Sequence, residues 1–122
     1  MNKRVVVTGI GTLSAAGTGL DALWQACLDG RSCVGPITRF DASEYKVRIG
    51  AETALPADIE ERFDPKLLKR ADPFVQFALY ATSLALEQSG LVIEGELADE
   101  VGVLIGSGIG GMKTWEEQHE VL

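Results

Sequence analysis

The apolar positions of this chain change their spacing several times, and each change predicts an element. Val5, Val6 and Val7 are consecutive and β-branched. Such a run suits a strand covered on both faces, so residues 3–8 are expected to form one. Gly9-Ile10-Gly11 is then expected to turn the chain. After it the period becomes helical: Leu20, Leu23, Trp24, Cys27 and Leu28 fall on one helix face. Thr18 is the expected N-cap, with Asp21 three residues on as a weak capping box, and Gly30 suits the position just past the end. Cys27 is expected to be buried on the apolar face.

Residues 31–63 alternate poorly. Gly35-Pro36 is a turn signal, and residues 47–51 read as a short exposed strand inside a long connection with little regular structure. Two Asp-Pro pairs follow, Asp64-Pro65 and Asp72-Pro73, each the mark of an N-cap with proline at the first helical position. The first predicts a helix of about two turns. The second predicts a longer helix ending near Gly90, apolar almost all round, with Gln76, Ser83 and Glu87 as a thin polar line. A helix of that kind is buried on most sides, which implies a larger body around it. Residues 101–105 again form a near-continuous apolar run, expected as a strand, and the residues after Gly111 read as the first turns of a helix. The class is therefore α/β. Val5–Val7 and residues 101–105 are expected as central strands of one sheet, with the 73–89 helix packed on it.

Length, at 122 residues, allows one domain. A net charge of −7 leaves no basic footprint for nucleic acid. No apolar run approaches the roughly 20 residues that a membrane span needs, and the start lacks a signal or transit pattern, so a cytosolic protein is expected. Cys27 and Cys33 are too few for a disulfide framework. The single His119 cannot build a metal site without other strong ligands, and no metal or cofactor is expected.

Three features invite a chemical reading. Gly9-Ile10-Gly11 resembles the start of a dinucleotide loop, but Ser14 stands where a third glycine belongs, and a structural turn is favoured. The segment Gly106-Ser107-Gly108-Ile109-Gly110-Gly111 lacks the Lys-Ser/Thr pair of a phosphate loop. Two readings stay open there: a glycine turn pressed against another segment, or Ile109, with Gly108 before it, as the wall of an apolar pocket. Lys66, Lys69 and Arg70 share one side of the first Asp-Pro helix. They are either a solvated face or a positive docking point for an acidic partner.

Taken in order, RVVVTGIGTLSAAG, RADPFVQFALYAT and VGVLIGSGIGG resemble the N-terminal part of the β-ketoacyl-acyl-carrier-protein synthases. The resemblance runs along essentially the whole chain, and Ile109 looks like the type II form. It implies a thiolase-like fold, layered helix, sheet, helix, sheet, helix in the complete homodimeric enzyme, of which residues 1–122 would be an incomplete first domain. It also implies decarboxylative Claisen condensation in fatty acid elongation, without a cofactor. The acyl carrier protein and the remainder of the ketosynthase chain are then the partners. Within that resemblance Lys66, Lys69 and Arg70 would receive the carrier, and Ile109 and Gly108 would border the acyl chain. The family's catalytic cysteine and histidines fall past the last residue here. Cys27, Cys33 and His119 match none of them, so the chain alone is expected to be inactive. A polyketide ketosynthase, a chain-length-factor-like partner without the nucleophile, and a free-standing binding module remain as alternatives.

Overall fold

The computed structural model describes residues 3–121. Two small antiparallel strand pairs stand on either side of the first helix, and further helices follow. β1 (Leu13–Ser14) pairs with β2 (Gly17–Thr18), Leu13 opposite Thr18. α1 is Leu20–Leu28. β3 (Gly35–Pro36) pairs with β4 (Ile49–Gly50), Gly35 opposite Gly50. α2 (Ile59–Arg62), α3 (Pro65–Arg70) and α4 (Pro73–Ser89) follow closely on one another. α5 is Glu96–Glu100 and α6 is Met112–Val121.

Both Asp-Pro helices form where the sequence puts them. In α3 the Asp64 carboxylate accepts from the Lys66 amide at 2.8 Å, which satisfies one of the first-turn donors. α4 ends at Gly90, whose φ of 65° is the left-handed conformation that glycine adopts without strain. The thin polar line of α4 does the joining. Gln76 donates to the carbonyls of Leu68 at 2.9 Å and Ala71 at 2.8 Å, closing the end of α3. Ser83 turns back on the carbonyl of Tyr80, and Glu87 pairs with Arg62.

The core sits between α2, α3 and α4. Ile59, Leu68 and Tyr80 are buried there, and Leu13, Leu55, Phe63 and Leu84 pack around them. Tyr80 is 3% exposed. Its hydroxyl donates to Asp58 at 2.7 Å, Arg62 donates to the other Asp58 oxygen at 2.7 Å, and the Arg62 guanidinium lies 5.0 Å from the centre of the Tyr80 ring. Burial, then the bond to Asp58, pushes the Tyr80 pKa up. The bonds from Arg62 and then Tyr80 hold the Asp58 carboxyl below its ordinary value.

Several expectations are corrected. Residues 3–8 and 101–105 belong to neither sheet. Val5 is 94% exposed and Leu104 99%. A strand exists only through its neighbour, and among the described residues neither run has one, so β-branched composition alone leaves them bare. Consequently α4 packs on no sheet of these runs; most of its apolar residues are half-buried, and Tyr80 is its buried residue. Gly9 and Gly11 do not turn the chain. A Cβ at Gly9 would lie 2.0 Å from the Ala85 carbonyl oxygen, and one at Gly11 1.8 Å from that of Ala81. The two glycines let residues 9–11 lie directly on the α4 backbone, and the Ile10 amide donates to Gln88 at 2.6 Å.

Thr18 does not cap α1, because it is taken up in β2 opposite Leu13; Gly19, at φ 86°, holds that place without a side-chain cap. Ala26 is the inward residue of α1, and Cys27, Trp24 and Leu28 are exposed. The 31–63 connection carries more structure than expected: Gly35-Pro36 is half of a hairpin rather than a turn, and α2 was not anticipated.

Candidate functional site

The basic triad stands on α3 because Leu68 anchors that helix in the core. Lys66, Lys69 and Arg70 are then left exposed. None of the three forms an ion pair among the described residues. Lys69 and Arg70 occupy the last turn, where cations complement the negative end of the helix dipole; Lys66 lies in the first turn, where they do not. A polar hollow of about 280 Å³ opens beside the last turn. Lys69 and Arg70 border it with Lys113, Thr114 and Glu117 of α6, and Lys66 stays outside. The hollow therefore has a cationic rim with two carboxylates among its lining groups, Asp72 and Glu117, the latter 3.7 Å from Lys113.

The glycine-rich segment lies at the other end of the same junction. Gly110 (φ 70°) and Gly111 (φ 54°) both take left-handed conformations. A Cβ at Gly110 would come within 3.3 Å of the Phe74 ring, and one at Gly111 within 3.3 Å of the Asp72 carboxylate. Ile109 itself is 82% exposed. With Met112 and Trp115 it borders an open apolar concavity of about 430 Å³. Gly108 does not reach that concavity and faces open space. Ile109 and the basic triad are thus not one site: α6 separates them, offering Trp115 to one hollow and Lys113, Thr114 and Glu117 to the other.

A profile of the family described as Beta-ketoacyl synthase, N-terminal domain, matches residues 2–121. The chain belongs to that family. It is 47% identical over 120 residues to 3-oxoacyl-[acyl-carrier-protein] synthase 2 of Synechocystis sp., covering 98% of this chain and 29% of that relative. It is 46% identical over 120 residues to the protein of the same name from Coxiella burnetii, again 98% and 29%. The Staphylococcus aureus protein of that name is 41% identical over 121 residues, 99% of this chain and 29% of the relative. The chain thus spans under a third of the length of these curated relatives.

Cys27 and Cys33 both border a largely apolar hollow of about 390 Å³ beside α1. The Cys33 thiol has a distant carbonyl, that of Arg31 at 3.8 Å, as its hydrogen-bond partner. His119 is exposed on α6 and stacks on Trp115, ring centres 6.1 Å apart. Among the described residues no cluster of three or more His, Cys, Asp or Glu side chains could hold a metal, and no helix is long and apolar enough to cross a membrane.

Sequence reasoning missed Lys113, Trp115 and the pairing of Asp72 with Thr114. Their only signal is the Asp-Pro at 72–73, which by itself marks the start of its own helix. Nothing in local sequence could place Thr114, 42 residues on, against Asp72.

Proposed function

We propose that this chain is the N-terminal part of a 3-oxoacyl-[acyl-carrier-protein] synthase that elongates fatty acids. The observation that carries the reading is the unbroken family match along residues 2–121. The resemblance gives the complete enzyme a thiolase-like layered fold, and the bare apolar runs at 5–7 and 103–105 fit a piece whose sheet is completed by the remainder of that enzyme. It acts as a cytoplasmic homodimer. The residues of the present chain then have supporting roles. Lys66, Lys69 and Arg70 meet the acidic acyl carrier protein, with Lys69 and Arg70 on the rim of the polar hollow. Ile109 is a wall for the acyl chain, and Gly108 gives the backbone beside it room to pass. The role of Gly108 rests on the resemblance alone.

The reaction proceeds in two balanced steps. The acyl group moves from the carrier thiol to a cysteine supplied by the remainder of the enzyme, one C–S bond forming as another breaks. Malonyl-carrier then loses carbon dioxide, the electron pair of that C–C bond becomes a carbanion, and the carbanion attacks the acyl-cysteine carbonyl. The new C–C bond forms through a tetrahedral oxyanion that backbone donors stabilise, and the cysteine leaves as thiolate. Neither Cys27 nor Cys33 takes part.

The deciding experiment follows carbon dioxide and 3-oxoacyl product from acyl- and malonyl-carrier, in the complete ketosynthase bearing this segment and in the 122-residue chain. Condensation by the complete enzyme and none by the chain is expected. Decarboxylation without condensation in the complete protein would assign it to the non-catalytic partner subunits instead. Condensation by the chain itself would overturn the assignment of the nucleophile.

A further inference from the structure

Asp72 is placed to cap α4, yet its side chain does not do so. In the first turn of α4 the amides of Val75 and Gln76 go to the Asp72 backbone carbonyl at 2.9 and 3.2 Å. The carboxylate reaches across to α6. Oδ1 accepts from the Thr114 hydroxyl at 2.8 Å and from the Thr114 amide at 3.3 Å. Thr114 is the third residue of α6, so its amide is one of the first-turn donors that no intrahelical carbonyl can satisfy. Asp72 therefore does for α6 what an N-cap side chain does, from another part of the chain. Its second oxygen faces Gly111, and Phe74, two residues on, faces Gly110. The start of α4 thus holds both glycines in their left-handed turn. Ile109 precedes them directly and is 82% exposed, so the turn rather than its own packing sets its direction.

We infer that Asp72 is the positioning residue of the glycine segment: it caps α6 from outside, fixes the turn at Gly110-Gly111 and so aims Ile109. The consequence for acyl chains rests on the acyl-wall reading of Ile109 given above; the consequence for the turn does not.

The test uses the complete ketosynthase with Asp72→Ala, Asp72→Asn and Thr114→Val, and Ile109→Phe as the reference. Amide hydrogen exchange reads the turn directly. Loss of a cap of ordinary strength in Asp72→Ala speeds exchange across 111–116 by roughly tenfold. Asp72→Asn keeps an acceptor oxygen and restores most of the protection. Thr114→Val removes the hydroxyl bond but keeps the amide, and gives an intermediate rate. The ratio of kcat/KM for long against short acyl substrates is measured alongside, and it shifts several-fold in Asp72→Ala and returns toward the original in Asp72→Asn. Unchanged exchange in Asp72→Ala overturns the inference. So does faster exchange with an unmoved ratio while Ile109→Phe moves it. If Ile109→Phe leaves the ratio unmoved, the acyl-wall reading fails, and the exchange rates alone decide whether Asp72 holds the turn. Should Asp72→Ala not fold, the comparison of Thr114→Val with the original enzyme carries the same decision.

Discussion

Replacing Gly11 by alanine tests the packing of the N-terminal segment on α4. The added Cβ would lie 1.8 Å from the Ala81 carbonyl oxygen and 2.8 Å from the Ala85 nitrogen. Both are backbone atoms inside a helix, so no rotamer change can relieve the overlap. Real Cβ atoms essentially never approach within 3.0 Å, and residues 9–11 must therefore withdraw by more than an ångström. That withdrawal also pulls the Ile10 amide from Gln88. Overpacking costs roughly 1–3 kcal/mol and a lost hydrogen bond about 1 kcal/mol more. A loss of about 3 kcal/mol lowers the melting temperature of a domain of this size by on the order of 10 °C. Gly35→Ala is the control, since nothing lies within 4 Å of its Cβ and its φ is not positive. Urea and thermal unfolding of the chain, followed by far-ultraviolet circular dichroism, give the two midpoints. Equal midpoints for Gly11→Ala and Gly35→Ala would show that the glycines do not serve close packing. A nucleotide-loop role predicts the opposite pattern: normal stability and lost nucleotide binding.

Three further outcomes are expected. In the complete ketosynthase, Lys69→Glu with Arg70→Glu weakens carrier binding in a salt-dependent way and spares a small carrier-free thioester; equal loss with both substrates points to misfolding. Ile109→Phe blocks long acyl chains while short ones still react, each excluded methylene forfeiting burial of about 0.8 kcal/mol. A variant with normal melting and the original chain-length ratio removes Ile109 from the pocket. Asp58 is held below its ordinary pKa of 3.8 by Arg62 and then Tyr80, so its contribution to stability is complete above that value and disappears as pH falls through the lowered one. Asp58→Asn removes this part of the acid-induced decline, and an identical stability–pH curve below pH 4 in the variant would refute it.

The sequence announced what depends on neighbours within a turn or two and missed what depends on distant partners. Asp64-Pro65 and Gly90 mark the bounds of α3 and α4 because caps and left-handed turns are local chemistry. Thr18 had the right composition for a cap, but its backbone was committed to Leu13 in the hairpin. The α1 face failed for a related reason: helical spacing identifies a stripe, and only tertiary contact decides which residues of that stripe are covered. Ala26 is covered, whereas Trp24 and Cys27 are not. For the candidate site, the exposure of Lys66, Lys69 and Arg70 was legible from their spacing. The opposition of Lys69 and Arg70 to Lys113, and the grip of Asp72 on Thr114, arise from the return of the chain through α5 and were not.

The division between covered and bare parts follows the placement of polar joints. Three seams are closed by a side chain that satisfies backbone or charge across them: Gln76 between α3 and α4, Arg62 between α2 and Glu87, Asp72 between the starts of α4 and α6. Among the described residues the runs at 5–7 and 103–105 have no such joint. They consist of β-branched and leucine side chains that can be held only by ladder bonds and by apolar cover on both faces. They are bare in this chain, and in the proposed complete enzyme they are the surface left for another segment to cover. The triad on α3 and the turn before α6 belong to the jointed part, so their local geometry does not depend on that cover. Substitutions at Asp72, Lys69 and Arg70 therefore test local geometry, whereas substitutions at Val6 or Leu104 test whether these bare runs are covered in the complete enzyme proposed above. A charged residue at Leu104 should leave the α2–α3–α4 core of this chain intact by circular dichroism and prevent assembly of the complete enzyme. Loss of the core itself in that variant would show that the run already packs within this chain.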